Sequence, residues 1–233
     1  MAFEMEKEKK KSSVLSFDRS DRLFATGSEI STTMYNLTIG LYICIGFAIN
    51  FIMAFFFKDF ILGIHPIGVL VAYFLCVIVG SIITHASTSP FVCTIAFIIM
   101  AIGMGLLLTF YLVTYNVSTV YTAFGITIGI AAVMTILAMI HPSFFASIGK
   151  GLLVSLAVAI IAELVCVLFF RQYFVVFDYI IIVIFCGFIG YDVVRAQSYA
   201  KTVQNAIKSA ADLYIELVNI LIRILSIMGD SKS

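Results

Sequence analysis

The 233-residue chain contains no tryptophan and only three prolines, and charged side chains make up 12% of it, about half the ~25% of soluble domains. With so little charge, 62% hydrophobic residues and a mean hydropathy of +1.14, the apolar surface is too large for a soluble fold, which buries only about 70% of a chain of this size. A soluble enzyme, a secreted disulfide scaffold and a disordered chain are thereby excluded. The five cysteines (Cys44, Cys76, Cys93, Cys166, Cys186) lie inside apolar runs and none has CxxC spacing, so they read as buried thiols rather than metal ligands or a disulfide framework. A net charge of +1 provides no basic field for nucleic acid. No HExxH, GxSxG, P-loop or flanked GxGxxG motif is present, so neither an enzyme nor a resident cofactor is expected.

What the chain does have is long apolar runs. A hydrocarbon core of ~30 Å takes about 20 residues of helix, and on that scale seven spans are expected near residues 36–57, 67–84, 91–114, 120–140, 152–170, 173–194 and 213–228. The last is the shortest and most polar. Turn signals separate them, among them His65-Pro66, Ser89-Pro90, Asn116, His141-Pro142 and Gly149-Lys150-Gly151, and all three prolines fall where a missing N–H costs little. The runs do not alternate as barrel strands would. The expected fold is therefore an all-α integral membrane protein, a seven-helix bundle over residues 31–233 with the polar-striped last helix at its centre. Residues 1–30 form a charged segment without the apolar stretch and cleavage site of a signal peptide. The glycine pairs Gly103/Gly105, Gly125/Gly129 and Gly187/Gly190 are expected to let helices approach closely.

Lysine and arginine set the orientation. With the N-terminus inside, ten of them (Lys7, Lys9, Lys10, Lys11, Arg19, Arg22, Lys150, Arg195, Lys201, Lys208) lie on the inner side and three (Lys58, Arg171, Lys232) on the outer. The N-terminus is expected in the cytoplasm, and seven spans carry Ser233 outside; if the last segment does not cross, Ser233 stays inside.

Ionisable groups at membrane depth are costly and call for a partner, a watery cavity or a function. Here they are Glu163, Asp178, Asp192, Glu216 and Arg223, four acids to one base. Asp212, Glu216, Asn219 and Arg223 recur at i, i+4, i+7 and i+11, one face of a helix. Such a helix can lie flat on the membrane surface or stand in the bundle with its stripe inward, and acids elsewhere in the bundle favour the second. At ~1.5 Å rise per residue, Asp192 and Glu216 fall in the same inner half on adjacent antiparallel helices, where they either share one proton or are hydrated separately. Glu163 and Arg223 fall at similar depth and can form a buried ion pair, while Asp178, nearer the outer end, either competes for Arg223 or reaches the outer interface. His85, at the inner end of the second span, can sit near Asp192.

Two stretches resemble a known family. Cys186-Gly187-Phe188-Ile189-Gly190-Tyr191-Asp192-Val193-Val194-Arg195-Ala196-Gln197 resembles the GYxxYDxQ end of the sixth helix of the Bax inhibitor (transmembrane Bax inhibitor motif) family, and LYIELVNILIRIL from Leu213 resembles its LYLDFINLFxxLL seventh helix. The prokaryotic members are similar to pH-sensitive calcium leak channels, in which an aspartate on each of the last two helices forms a hydrogen-bonded pair closing the cytoplasmic end. The resemblance implies that Asp192 and Glu216 are the gate and pH sensor here, with transient Ca²⁺ contact at the same two acids and His85, Asn219 and Asp212 in support. Glu216 is one methylene longer than the family's aspartate, and only His85 stands where the family often has a basic residue on the second helix. Oxygen-rich acids suit a hard cation such as Ca²⁺. The implied function is a proton-gated Ca²⁺ leak whose partners are the bilayer, Ca²⁺ and protons, in a bacterial plasma membrane or, alternatively, the endoplasmic reticulum. A proton-coupled ion transporter and a non-conducting regulator of a membrane protease or stress response fit the same residues.

Overall fold

The computed structural model describes residues 28–171 and 174–230, and every regular element among them is helical. Residues 1–27, 172–173 and 231–233 lie outside the described residues, and with them most of the basic side chains on which the charge asymmetry rests. The elements are α1 (Thr32–Phe56), a one-turn α2 (Lys58–Leu62), α3 (Pro66–Ala86), α4 (Pro90–Thr114), α5 (Val117–Ile140), α6 (Pro142–Val165) continued by a π-helical turn (Cys166–Phe170), α7 (Val176–Ser198) and α8 (Val203–Asp230).

Helix starts follow their local chemistry. The Ser31 hydroxyl accepts from the Met34 N–H at 3.2 Å, and Asn116 Oδ1 accepts from the Thr119 N–H at 2.8 Å, satisfying orphan first-turn donors. Each of the three prolines occupies the first turn of a helix. Thr38, Thr84, Thr109 and Thr127 return their hydroxyls to the carbonyl four residues earlier, which keeps these polar groups satisfied inside an apolar medium.

Six helices (α1, α3, α4, α5, α6 with its π turn, and α7) are long and apolar enough to cross a membrane. Their outward faces carry large exposed apolar side chains such as Leu37, Phe55, Ile128, Val154 and Phe169, a surface water would not tolerate. This is a multi-pass membrane protein. The seventh long helix, α8, has 28 residues and by its ~1.5 Å rise is about 42 Å long, but it is too polar to qualify by apolarity. Against expectation it is the longest element, beginning ten residues before the expected 213. Its early polar residues Gln204, Asn205, Lys208 and Ser209 are all buried, because α1, α3, α4, α5 and α7 pack around it. Neighbouring helices provide the surroundings that hydropathy alone could not foresee.

The second displaced boundary is that of α6, which starts at Pro142 rather than near 152. Gly149-Lys150-Gly151 lies inside this helix and is not a turn. Gly149 is small because α7 crosses there, and a Cβ would run into the Tyr191 ring. Gly103, Gly105, Gly187 and Gly190 likewise mark close approaches, to Cys76, Met53, Leu152 and Phe145. Gly125 and Gly129 do not: nothing lies within 4 Å of the Cβ either would carry, so the expected packing role fails for this pair. Among the described residues, the core centres on α8. There Tyr214, fully buried, packs against Phe47 and Phe97, each at 5.5 Å between ring centroids, and donates its hydroxyl to Asn50 Oδ1 at 2.9 Å.

Candidate functional site

The polar stripe of α8 meets acids at two levels. Less than two turns before the end of α7 and midway along α8, the side chains of Asp192 and Glu216 are hydrogen-bonded to each other, and they are only 8% and 4% exposed. Two carboxylates are both acceptors, so a hydrogen bond between them requires one of them to be protonated. One oxygen of each, Asp192 Oδ1 and Glu216 Oε2, is buried with no hydrogen-bond partner among the described residues. The pair is thus bonded to itself and left under-satisfied towards its surroundings.

A ring of charge stands around it. Arg195 Nη1, one turn beyond Asp192 on α7, lies 3.7 Å from Asp192 Oδ1 and 3.9 Å from Asp212 Oδ2. Its guanidinium is also 5.4 Å from the Tyr199 ring centre, a cation–π arrangement. His85 Nε2 reaches Asp212 at 3.0 Å while its Nδ1 faces the Ser81 carbonyl at 2.9 Å. Both ring nitrogens face acceptors, and only the doubly protonated imidazolium donates from both.

His85 is bonded to Asp212 and, as expected, also lies within electrostatic reach of Asp192. The permanent cation that His85 cannot supply is Arg195. Sequence reasoning counted Arg195 only as a loop charge, although its i, i+3 spacing from Asp192 was a readable signal. Asn219 turns its amide back to the Ile215 carbonyl at 2.8 Å, so its side chain is engaged with its own helix rather than with either acid level.

At the other level, Arg223 joins three helices. Its Nη1 and Nη2 donate to Glu163 Oε1 and Oε2 of α6 at 2.6 and 2.9 Å, and Nη1 also donates to Asp178 Oδ1 of α7 at 2.8 Å. The fork-to-fork contact with Glu163 is the strong bidentate form. Asp178 does not compete with Glu163 for Arg223; both bind it at once, and Asp178 is fully buried. Asp178 lies in the first turn of α7, where the helix N-terminus favours an anion. Tyr73 of α3 and Tyr111 of α4 lie within electrostatic reach of Arg223. With ionised acids the triad carries a net −1.

Among the described residues, no three His, Cys, Asp or Glu side chains are placed to hold a metal ion.

Residues 28–233 match the family described as Bax1-I, inhibitor of apoptosis-promoting Bax1. No curated protein and no solved structure matches the chain.

Proposed function

The chain belongs to the Bax inhibitor family of membrane proteins, and on that premise we propose that it is a pH-sensitive Ca²⁺ leak pathway whose closure is the proton shared by Asp192 and Glu216. The observation that supports this reading is the pair itself, two buried carboxyls bonded to each other on adjacent helices. A charge-assisted O–H···O⁻ bond is short and strong, so one shared proton holds α7 to α8. Adding a second proton removes the charge assistance, while losing the only proton sets two anions against each other. Either change loosens the contact, and conduction follows the pair's macroscopic titration. Arg195 moderates the negative charge without neutralising it through a direct hydrogen bond, so the pair stays responsive. In this reading the protein is not an enzyme and holds no cofactor. It sits in a bacterial plasma membrane with its N-terminus and the acid pair on the cytoplasmic side, and α8 crosses the bilayer inside the sheath of the other helices.

The test is Ca²⁺ flux into liposomes carrying the purified protein, measured over a series of pH values. Passive, downhill and pH-dependent flux is expected. Flux that needs an opposing proton gradient would assign a coupled transporter instead, and liposomes that stay tight at every pH would end the conduction reading. The crossing of α8 has its own test. A tag appended after Ser233 should be reached by an impermeant reagent from outside intact cells, and labelling only after permeabilisation would leave α8 uncrossed.

A further inference from the structure

The first turn of α1 grips the α7–α8 turn. Tyr35 is fully buried, and its hydroxyl lies 3.1 Å from the Ala196 carbonyl of α7, 3.0 Å from Ser209 Oγ of α8 and 3.5 Å from the Asn205 carbonyl of α8. A hydroxyl has one proton to donate. Tyr35 gives it to the nearer carbonyl, that of Ala196, and accepts from Ser209. One side chain thereby links the end of α7 to the beginning of α8. Lys201, in the turn, lies 4.6 Å from the Tyr35 ring centre and donates to the Ala196 and Gln197 carbonyls at 3.2 and 2.8 Å, which are among the orphan acceptors at a helix end. The Ile30 N–H donates to the Lys201 carbonyl at 2.8 Å, and Gln197 Nε2 donates to Asn36 Oδ1 at 3.0 Å. The turn is therefore tied to α1 by its carbonyls, by an aromatic face and by a side-chain amide.

The acids lie directly beyond this clamp. Ala196 is one helical turn past Asp192, and Ser209 is two turns before Glu216. We infer that Tyr35 is the positioning residue of the acid pair: its hydroxyl fixes the spacing of α7 and α8 and so sets the pH window over which the shared-proton bond survives. The inference rests on the gating reading above. The charged and titratable groups at this end are Asp212 and Lys208 on α8, Arg195 and Tyr191 on α7, Tyr199 and Lys201 in the turn, His85 on α3 and Cys93 on α4. Tyr35→Phe leaves every one of them in place and removes a single oxygen, so a change in titration would report geometry. Wider spacing weakens the singly protonated state relative to both the doubly protonated and the empty states, and the two macroscopic steps move together.

The experiment pairs two measurements on the full chain in liposomes, wild type and Tyr35→Phe. One is the pH profile of Ca²⁺ flux. The other is the infrared carboxyl band of the pair against pH, assigned by its loss in the Asp192→Asn, Glu216→Gln variant. Expected for Tyr35→Phe is a narrowed window in the infrared titration, the upper midpoint falling and the lower one rising by about half a pH unit or more, roughly what one hydrogen bond is worth. Ser209→Ala should narrow it in the same sense, and it serves as the test if Tyr35→Phe does not fold. Infrared midpoints unchanged from wild type would overturn the positioning role whatever the flux does. Shifted infrared midpoints beside a flux indifferent to pH would uphold it and refute the leak reading alone.

Discussion

Replacing Arg223 by glutamine is expected to cost the folded bundle about 3–5 kcal/mol, the usual penalty for stranding a buried charge by removing its partner. Two acids lose their contact with Arg223, Glu163 and the fully buried Asp178. Unfolding in mixed detergent–SDS micelles, followed by circular dichroism, would measure the loss. The triad's composition predicts an order among variants that a simple pair would not give. Glu163→Gln leaves Arg223 balanced one to one by Asp178, so it should cost clearly less than Arg223→Gln. Removing all three charges together (Glu163→Gln, Asp178→Asn, Arg223→Gln) should recover most of the loss, since neutral packing in place of a buried ion network is often close to isoenergetic. If Arg223→Gln proved no more costly than Glu163→Gln, Arg223 would not be the hub of the three helices.

The Asp192→Asn, Glu216→Gln double variant should lose its pH response altogether. Both side chains keep their shape, but the shared proton and the charge-assisted bond are gone. Such bonds are worth about 1.5–3 kcal/mol, and at 1.4 kcal/mol per tenfold the open-to-closed ratio of the proposed pathway should rise roughly ten- to hundredfold at the pH where the wild type is tightest. Calcium flux into liposomes would show this as a raised, flat profile. Glu216→Asp shortens the reach by one methylene and brings the pair to the residue types of the family resemblance. It should stay pH-sensitive with a displaced midpoint. A double variant whose flux still followed the wild-type pH curve, with normal expression, would remove the pair from the gate.

Hydropathy made six of the long helices legible from the sequence, because each is a long, predominantly apolar run. It misplaced two boundaries, for different reasons: Lys150 is an exposed residue of a continuous helix, whereas the early polar residues of α8 are enclosed. Lys150 between two glycines has the composition of a turn, yet the glycines let α6 pass close to α7 at Tyr191. Gln204, Asn205 and Lys208 suggest a loop, yet they are buried helix. Depth arithmetic anticipated the Glu163–Arg223 contact, since two single residues on two spans define a level. It could not resolve whether Asp178 would compete or join, because that depends on the rotation of α7 about its axis. The bond of His85 to Asp212 and the place of Arg195 beside Asp192 and Asp212 have the same origin, a question of azimuth that one-dimensional spacing does not contain.

The enclosure of α8 bears on how the protein is made. On insertion scales, an aspartate, lysine or arginine at mid-membrane costs about 2.5–3.5 kcal/mol, and α8 carries Lys208, Asp212, Glu216 and Arg223 along its length. Offered alone to the lateral gate of a translocon, such a segment would be passed through or turned back, not released into lipid. Every helix that surrounds it, α1, α3, α4, α5 and α7, precedes it in the chain, so a ribosome delivers the sheath before the rod. The acids that greet it, Asp192 and Asp178, are already in place on α7. With α8 crossing the bilayer as proposed, order of synthesis does for it what hydropathy does for the others, and moving its sequence to the front of the chain is expected to leave it in water.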